Sequence, residues 1–190
     1  VAAGVNVTFK ILYNDAVAMT GGQPMDGPLS VPRVTRQLQS EGIGKIAVVT
    51  DDPLKYPLDK QFAGGVTVHH RDELDRVQRD MRLWHGVSAI VYDQMCATEK
   101  RRRRRRGLLD EPDLRVVINQ DVCEGCGDCS TASNCLSVVP SETEFGRKRK
   151  IDQASCNMDY SCVGGFCPSF ALVKGGRQRK RKSTGAGDKL

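Results

Sequence analysis

The segment Cys123-Glu-Gly-Cys126-Gly-Asp-Cys129 places three cysteines at intervals of two residues. Thiolates at this spacing lie on one curled loop and converge on a common centre. Gly125 and Gly127 let the loop turn tightly and offer backbone N–H groups to sulfur. Four further cysteines follow in the same stretch: Cys135, Cys156, Cys162 and Cys167, the last followed by Pro168. We expect this part of the chain, which has many glycines and few helical periods, to fold around its thiolates rather than around a large apolar core.

Three closely spaced cysteines and a distant Cys-Pro are the bacterial ferredoxin arrangement for a [4Fe–4S] cluster. In two-cluster ferredoxins, the first three cysteines of one run share a cluster with the last cysteine of the other. Applied here, one cluster takes Cys123, Cys126, Cys129 and Cys167. The second takes Cys135, Cys156 and Cys162, and the spacing puts Asp159 where a fourth ligand would stand. The pattern therefore predicts two neighbouring clusters that carry electrons.

Asp159 leaves an alternative open. A carboxylate oxygen is a harder ligand than a thiolate and binds such a site more weakly. Asp159 is therefore either the ligand of a labile iron or a turn residue, in which case only the first cluster forms.

Two other interpretations of the cysteines are weaker. Zinc sites favour paired Cys-x2-Cys knuckles separated by a spacer, and disulfides need an oxidising compartment. Two alternative functions follow from these residues: a stand-alone ferredoxin-type electron carrier, and a zinc-dependent nucleic-acid-binding protein.

The first half of the chain has a different pattern, in which short apolar runs alternate with amphipathic segments. Strands are predicted at 5–13, 46–50, 66–69 and 87–92. One helix begins after an N-cap at Ser30 and is closed by Gly42. A second helix covers 72–84, with its inward face formed by Leu74, Val77, Met81 and Trp84. This alternation predicts an α/β fold with a mostly parallel sheet and helices on its faces.

The positive charge is concentrated in two short segments. The 190-residue chain has a net charge of +6, supplied by the arginine run 101–106 and by the tail from 174. Without those runs the chain is acidic, so it lacks the basic folded surface that nucleic acid requires. No stretch approaches 18 apolar residues, and the N-terminus has no basic leader. We therefore expect a cytoplasmic protein without nucleic-acid or membrane partners.

Three segments resemble the indolepyruvate ferredoxin oxidoreductases, a family of thiamine-diphosphate-dependent 2-oxoacid:ferredoxin oxidoreductases. They are ILYNDAVAMTGGQP at 11–24, YDQMCATEKRRRRRRG at 92–107 and the cysteine-rich stretch at 122–170. The likeness is to the long, fused bacterial form and extends to about residue 173. It implies the later part of a thiamine-diphosphate-binding domain at 1–95 and a basic linker at 96–114. A small ferredoxin-like iron–sulfur domain at 115–173 and a flexible basic tail at 174–190 follow.

The resemblance also implies a cofactor site after the first strand. Open parallel sheets bind ligands at the carboxyl ends of their strands, and amide and carbonyl oxygens suit Mg²⁺. In the family pattern, Mg²⁺ is bound by the residues that match Asn14 and the carbonyl of Ala16. The diphosphate or the thiazolium of thiamine diphosphate is lined by the residues that match Thr20, Gly21, Gly22 and Gln23.

The activity implied by the resemblance is the oxidative decarboxylation of an arylpyruvate. Coenzyme A takes the acyl group, and the clusters pass electrons to an external ferredoxin. The Gly-Asp-Gly motif that supplies another Mg²⁺ ligand is absent, and the sequence does not begin with Met. We therefore expect a piece of a longer enzyme that is inactive alone and forms a homo-oligomer at full length. No catalytic residue is predicted.

Overall fold

The chain forms two compact units, Val1–Arg102 and Arg103–Leu190. The computed structural model describes residues 1–14, 16–17, 23, 27, 29–56 and 62–176. Within these ranges, no helix is both long enough and apolar enough to cross a bilayer.

The first unit is built on a four-stranded parallel sheet. Its strands are β1 (Val7–Tyr13), β2 (Lys45–Thr50), β3 (Thr67–His70) and β4 (Val87–Asp93), in the spatial order β1-β4-β2-β3. The two central strands are almost fully buried because helices cover both faces of the sheet, as is usual for parallel sheets. The predicted α/β fold with a parallel sheet is confirmed.

Helices α1 (Val31–Ser40) and α2 (Leu74–Arg82) pack on opposite faces of this sheet. Successive strand residues point to opposite faces, so Val48 and Ala89 contact the α1 side while Val49 and Ile90 contact the α2 side. The α2 side also contains two buried helix residues, Val77 and Met81. Each face therefore has its own apolar cluster.

The ends of the helices follow the predicted signals with one exception. Ser30 is the N-cap of α1, and Gly42 takes a φ of +84° just after its end. The prediction that Trp84 lies on the inward face is wrong. Helix α2 ends at Arg82, so Trp84 leaves the helical register; it is 39% exposed and lies against Gly44 and Lys45.

The second unit consists of two small antiparallel pairs connected by loops. Strand β5 (Leu114–Ile118) pairs with β8 (Phe170–Lys174), and β6 (Val138–Thr143) forms a hairpin with β7 (Gly146–Ile151). A short helix, α4 (Asp128–Ser133), packs against a 3-10 turn at Ser161–Val163. All the predicted cysteine ligands lie in the loops and turns between these elements or at the start of α4.

The segment 96–114 differs from the predicted linker because it contains a helix, α3 (Ala97–Arg105). Lysine and arginine are good helix formers, and Arg102 is paired with the buried Glu99 one turn earlier, at 2.8 Å. The predicted basic tail begins inside β8 at Lys174, and residues 177–190 lie outside the described ranges. The assignment of functions to 1–95, 96–114, 115–173 and 174–190 stays a prediction.

Candidate iron–sulfur sites

The four thiols predicted to bind the first cluster line one cavity. Its volume is about 230 Å³, and its wall includes Cys123, Cys126, Cys129 and Cys167. Arg149 and Phe166 are among the other residues of the wall. Cys123 is buried and Cys126 is exposed, so the cavity is open to solvent on one side. The loop and the distant Cys-Pro, which are far apart in sequence, thus meet at one place.

The shape of this loop depends on two glycines with positive φ. Gly125 has a φ of +73° and Gly127 a φ of +89°, in the region that L side chains rarely adopt. At Gly125 a Cβ atom would lie only 2.3 Å from the carbonyl oxygen of Arg147 in β7. The loop passes close to the hairpin because position 125 has no side chain.

Hydrogen bonds to sulfur further fix the first set. The backbone N–H of Gly125 donates to Cys123 Sγ at 3.4 Å, and Cys167 Sγ lies 3.0 Å from the hydroxyl of Ser169. Burial raises the pKa of Cys129, although the N–H of Ser130 and the charge of Arg149 act in the opposite direction. A backbone N–H group and a positive charge that stabilise the thiolate form therefore lie near Cys129.

The second predicted set is also brought together. Cys156 and Cys162 interact electrostatically with Cys135, with Asp159 and with one another. Burial raises the pKa of Cys156, and raises that of Cys162 to about 11, with the neighbouring thiols and Asp159 adding to the increase. The N–H of Ser137 donates to Cys135 Sγ at 3.4 Å. Binding of metal by these thiols would release protons, since only thiolates are ligands.

The loop that carries Asp159 has an unusual backbone. Met158 and Tyr160, on either side of Asp159, have φ values of +54° and +59°, which is costly for residues other than glycine. The hydroxyl of Tyr160 donates to the carbonyl of Leu114 at 3.0 Å. Oδ1 of Asp159 accepts hydrogen bonds from the N–H and the hydroxyl of Ser161. Asp159 thus stabilises the turn, and both of its predicted roles stay open.

The two sets of side chains are predicted to hold clusters and not single ions. Within the part of the chain that the structure describes, no three His, Cys, Asp or Glu side chains are close enough to hold one metal ion. In a cubane each iron takes a separate thiolate, so the thiolates surround the cluster instead of meeting at one atom. The thiol-lined cavity and the N–H of Gly125, which donates to Cys123 Sγ, match such a group.

The predicted Mg²⁺–thiamine residues lie at the carboxyl end of β1. Oδ1 of Asn14 accepts a hydrogen bond from the N–H of Ala16 at 3.3 Å, and Ala16 is buried. Gln23 pairs with Val17, whose N–H donates to the Gln23 carbonyl at 2.9 Å. The remaining predicted residues, Thr20, Gly21 and Gly22, lie outside the described residues.

A polar group at the same edge of the sheet was not predicted. Asp93, at the end of β4, is buried; it accepts a hydrogen bond from the hydroxyl of Tyr56 and is paired with Lys55 at 2.7 Å. The N–H of Gln94 donates to the carbonyl of Tyr13. The Oε1 atom of Gln94 is buried and has no hydrogen-bond partner among the described residues. The only sequence signal for this group is that Asp93 and Gln94 directly follow a buried strand.

Two arginines beside the cysteines were also missed. Arg149 lines the first cavity, and the buried Arg115 lies close enough to Cys156 for its charge to oppose the rise in the pKa of that thiol. Both are strand residues in a basic chain, and nothing in their local sequence distinguishes them from exposed arginines.

The chain is homologous to a portion of known indolepyruvate oxidoreductase subunits. It is 29% identical over 171 residues to the IorA subunit of Thermococcus kodakarensis, covering 88% of this chain and 24% of that subunit. Identity to the IorA subunit of Pyrococcus abyssi is 27% over 171 residues, covering 89% and 24%. The chain thus spans about a quarter of the length of these curated relatives.

A ferredoxin of Pyrobaculum islandicum matches a shorter region. It is 42% identical over 60 residues, which are 32% of this chain and 52% of that ferredoxin. No family model matches the chain, and no solved structure does. The C-terminal, cysteine-rich region is ferredoxin-like, and its seven cysteines together with the ferredoxin homology indicate iron–sulfur clusters.

Proposed function

We propose that the chain is the electron-carrying part of an arylpyruvate:ferredoxin oxidoreductase and binds two [4Fe–4S] clusters. The observation that carries the proposal is the cavity lined by Cys123, Cys126, Cys129 and Cys167. It assembles the ligand set that the cysteine spacing predicts, and the homology to IorA subunits and to a ferredoxin supports it. When bound, such clusters supply one-electron chemistry.

The residues of the chain would hold these groups near one another. The thiolates of the first set, which include Cys129 in the first turn of α4, would bind one cluster, and Cys135, just after the end of the same helix, would bind the other. A six-residue helix is about 9 Å long. Clusters at the two ends of so short a helix would be close enough to exchange electrons, and the N–H groups of Gly125 and Ser137 would stabilise the negative charge on sulfur.

The first unit supplies two oxygen donors in the proposal. The amide oxygen of Asn14 and the carbonyl of Ala16 would bind the Mg²⁺ of thiamine diphosphate, and Gln23 with residues 20–22 would line the cofactor. Thiamine diphosphate, when bound, supplies the carbanion stabilisation that 2-oxoacid decarboxylation needs. Coenzyme A and an arylpyruvate are the substrates of the whole enzyme, and ferredoxin is the acceptor.

Iron analysis of the anaerobically reconstituted full chain tests the proposal. Two cubanes give about eight irons per chain, with a broad visible absorption. Cys126→Ser should lose the first cluster and about half of the iron. The matched control is Cys96→Ser, because Cys96 lies outside both sets and its substitution should leave the iron content unchanged.

Two other results of the iron analysis would change the proposal. A colourless chain that binds zinc in place of iron would refute the proposal. A reproducible value near four irons would restrict it to the first cluster.

A further inference from the structure

Two arginines of α3 donate hydrogen bonds to the loop that carries Cys156. Nη1 of Arg104 donates to the carbonyl of Asn157 at 2.8 Å, and Nη2 of Arg105 donates to the carbonyl of Ala154 at 3.3 Å. These carbonyls lie on either side of Cys156 along the chain. The arginine run, interpreted from sequence as a solvated linker, therefore holds the backbone of a predicted ligand.

The loop depends on such contacts because it belongs to no helix or strand. Its beginning is fixed by Ser155, whose hydroxyl contacts both Asp152 at 2.7 Å and Ser137 at 3.1 Å. Beyond Cys156, Met158 and Tyr160 have left-handed backbone conformations, which are intrinsically unfavourable. Bonds from a charged donor are stronger than neutral ones, so the two guanidinium groups are well suited to hold this strained segment.

The contact made by Arg104 is more buried than the contact made by Arg105. Arg104 is half-buried, and its Nε atom and the Oδ1 atom of Asn157 are buried without a hydrogen-bond partner in the described ranges. Arg105, by contrast, is exposed. The pair therefore provides one half-buried and one solvent-facing support for the same loop.

We propose that Arg104 and Arg105 are positioning residues that hold the Cys156 loop in the geometry needed to bind the second cluster. This inference rests on the proposed iron–sulfur function. It assigns to two residues of the arginine run a role in the second site alone, because their hydrogen bonds reach Asn157 and Ala154 and not the loop of the first site.

The test compares two alanine variants of the full, anaerobically reconstituted chain. Arg105→Ala removes an exposed side chain and should fold normally, while Arg106→Ala is the matched control because Arg106 is exposed and belongs to the same run. We expect a chelator to remove iron from the second site several-fold faster in Arg105→Ala than in wild type or Arg106→Ala. The double variant R104A/R105A should retain about four irons instead of about eight.

Electron paramagnetic resonance separates positioning from a general loss of structure. The signal of the second cluster should change in Arg105→Ala while that of the first stays as in wild type, and Arg105→Lys should restore it in part. Equal iron loss and identical spectra in Arg105→Ala and Arg106→Ala would overturn the inference. Wild-type protein without iron would instead refute the proposed function.

Discussion

Replacing Gly125 with alanine adds a methyl group where the first cysteine loop passes closest to β7. The new Cβ atom would lie 2.3 Å from the carbonyl oxygen of Arg147, and the backbone φ is +73°. The left-handed conformation costs a non-glycine residue about 1–2 kcal/mol. Crowding in a packed region costs about 1–3 kcal/mol. We therefore expect the free energy of unfolding of the second unit to fall by roughly 2–5 kcal/mol.

Two other glycines separate these contributions. Gly146 has a φ of +91° but open space around its Cβ position, so Gly146→Ala should cost only about 1–2 kcal/mol. Gly165 has neither a positive φ nor a neighbour within 4 Å, so Gly165→Ala should change stability by less than about 0.5 kcal/mol. Urea unfolding under anaerobic conditions measures all three, with visible absorption reporting the second unit and circular dichroism the whole chain.

The comparison between Gly125→Ala and Gly146→Ala tests whether the carbonyl of Arg147 crowds the loop. If Gly125→Ala is no less stable than Gly146→Ala, the carbonyl of Arg147 does not press on the loop. The explanation of Gly125 by close backbone approach would then be wrong.

Two further predictions concern other parts of the chain. Burial and the hydrogen bond to Asp93 raise the pKa of Tyr56 above its ordinary value of 10. The contribution of the protonated Tyr56 hydroxyl to the free energy of unfolding is therefore complete below pH 10 and is lost as pH rises beyond it. Urea unfolding of wild type and Tyr56→Phe should show this loss in wild type alone, and an equal alkaline loss in both would contradict the argument. If Asp159 binds iron, mild oxidation should produce a [3Fe–4S] resonance signal that Asp159→Cys abolishes. Wild-type protein that holds about eight irons and never gives this signal would show that Asp159 is only a turn residue.

The fold of the first unit could be predicted because the composition of each segment and the alternation of strands and helices along the chain indicate the same architecture. The run at 46–50 is mostly apolar and β-branched, and in the structure it forms β2, one of the two central strands, which is one residue longer. Trp84 shows where prediction from helical spacing fails. Its spacing fits the face of α2, but the helix ends two residues earlier, and the side chain packs beside Gly44 on another segment. Such a contact between distant segments leaves no periodic signal.

The cysteine sets could be predicted because ligand spacing is a local property of the sequence. The arginines that lie beside the cysteines could not be predicted, since their positions depend on how separate segments pair. Arg149 reaches the first cavity only because β7 pairs with β6 in the register that places it opposite Pro140. Arg115 is buried through contacts with Glu111, Met158 and Gly176, which are spread over most of the second unit.

The pairing of β5 with β8 determines how the second unit can be joined to other protein. Leu114 lies opposite Lys174, and the N–H of Gly175 donates to the carbonyl of Asp113 at 2.7 Å, so the two ends of the segment 113–175 are adjacent. A block whose two ends are adjacent can be inserted into a loop of a host protein, or removed from it, without separating the host's own segments. The segment 113–175 therefore has the architecture of a portable cassette, and a graft that keeps the hydrogen bonds from Arg104 and Arg105 to the Cys156 loop includes α3 as well.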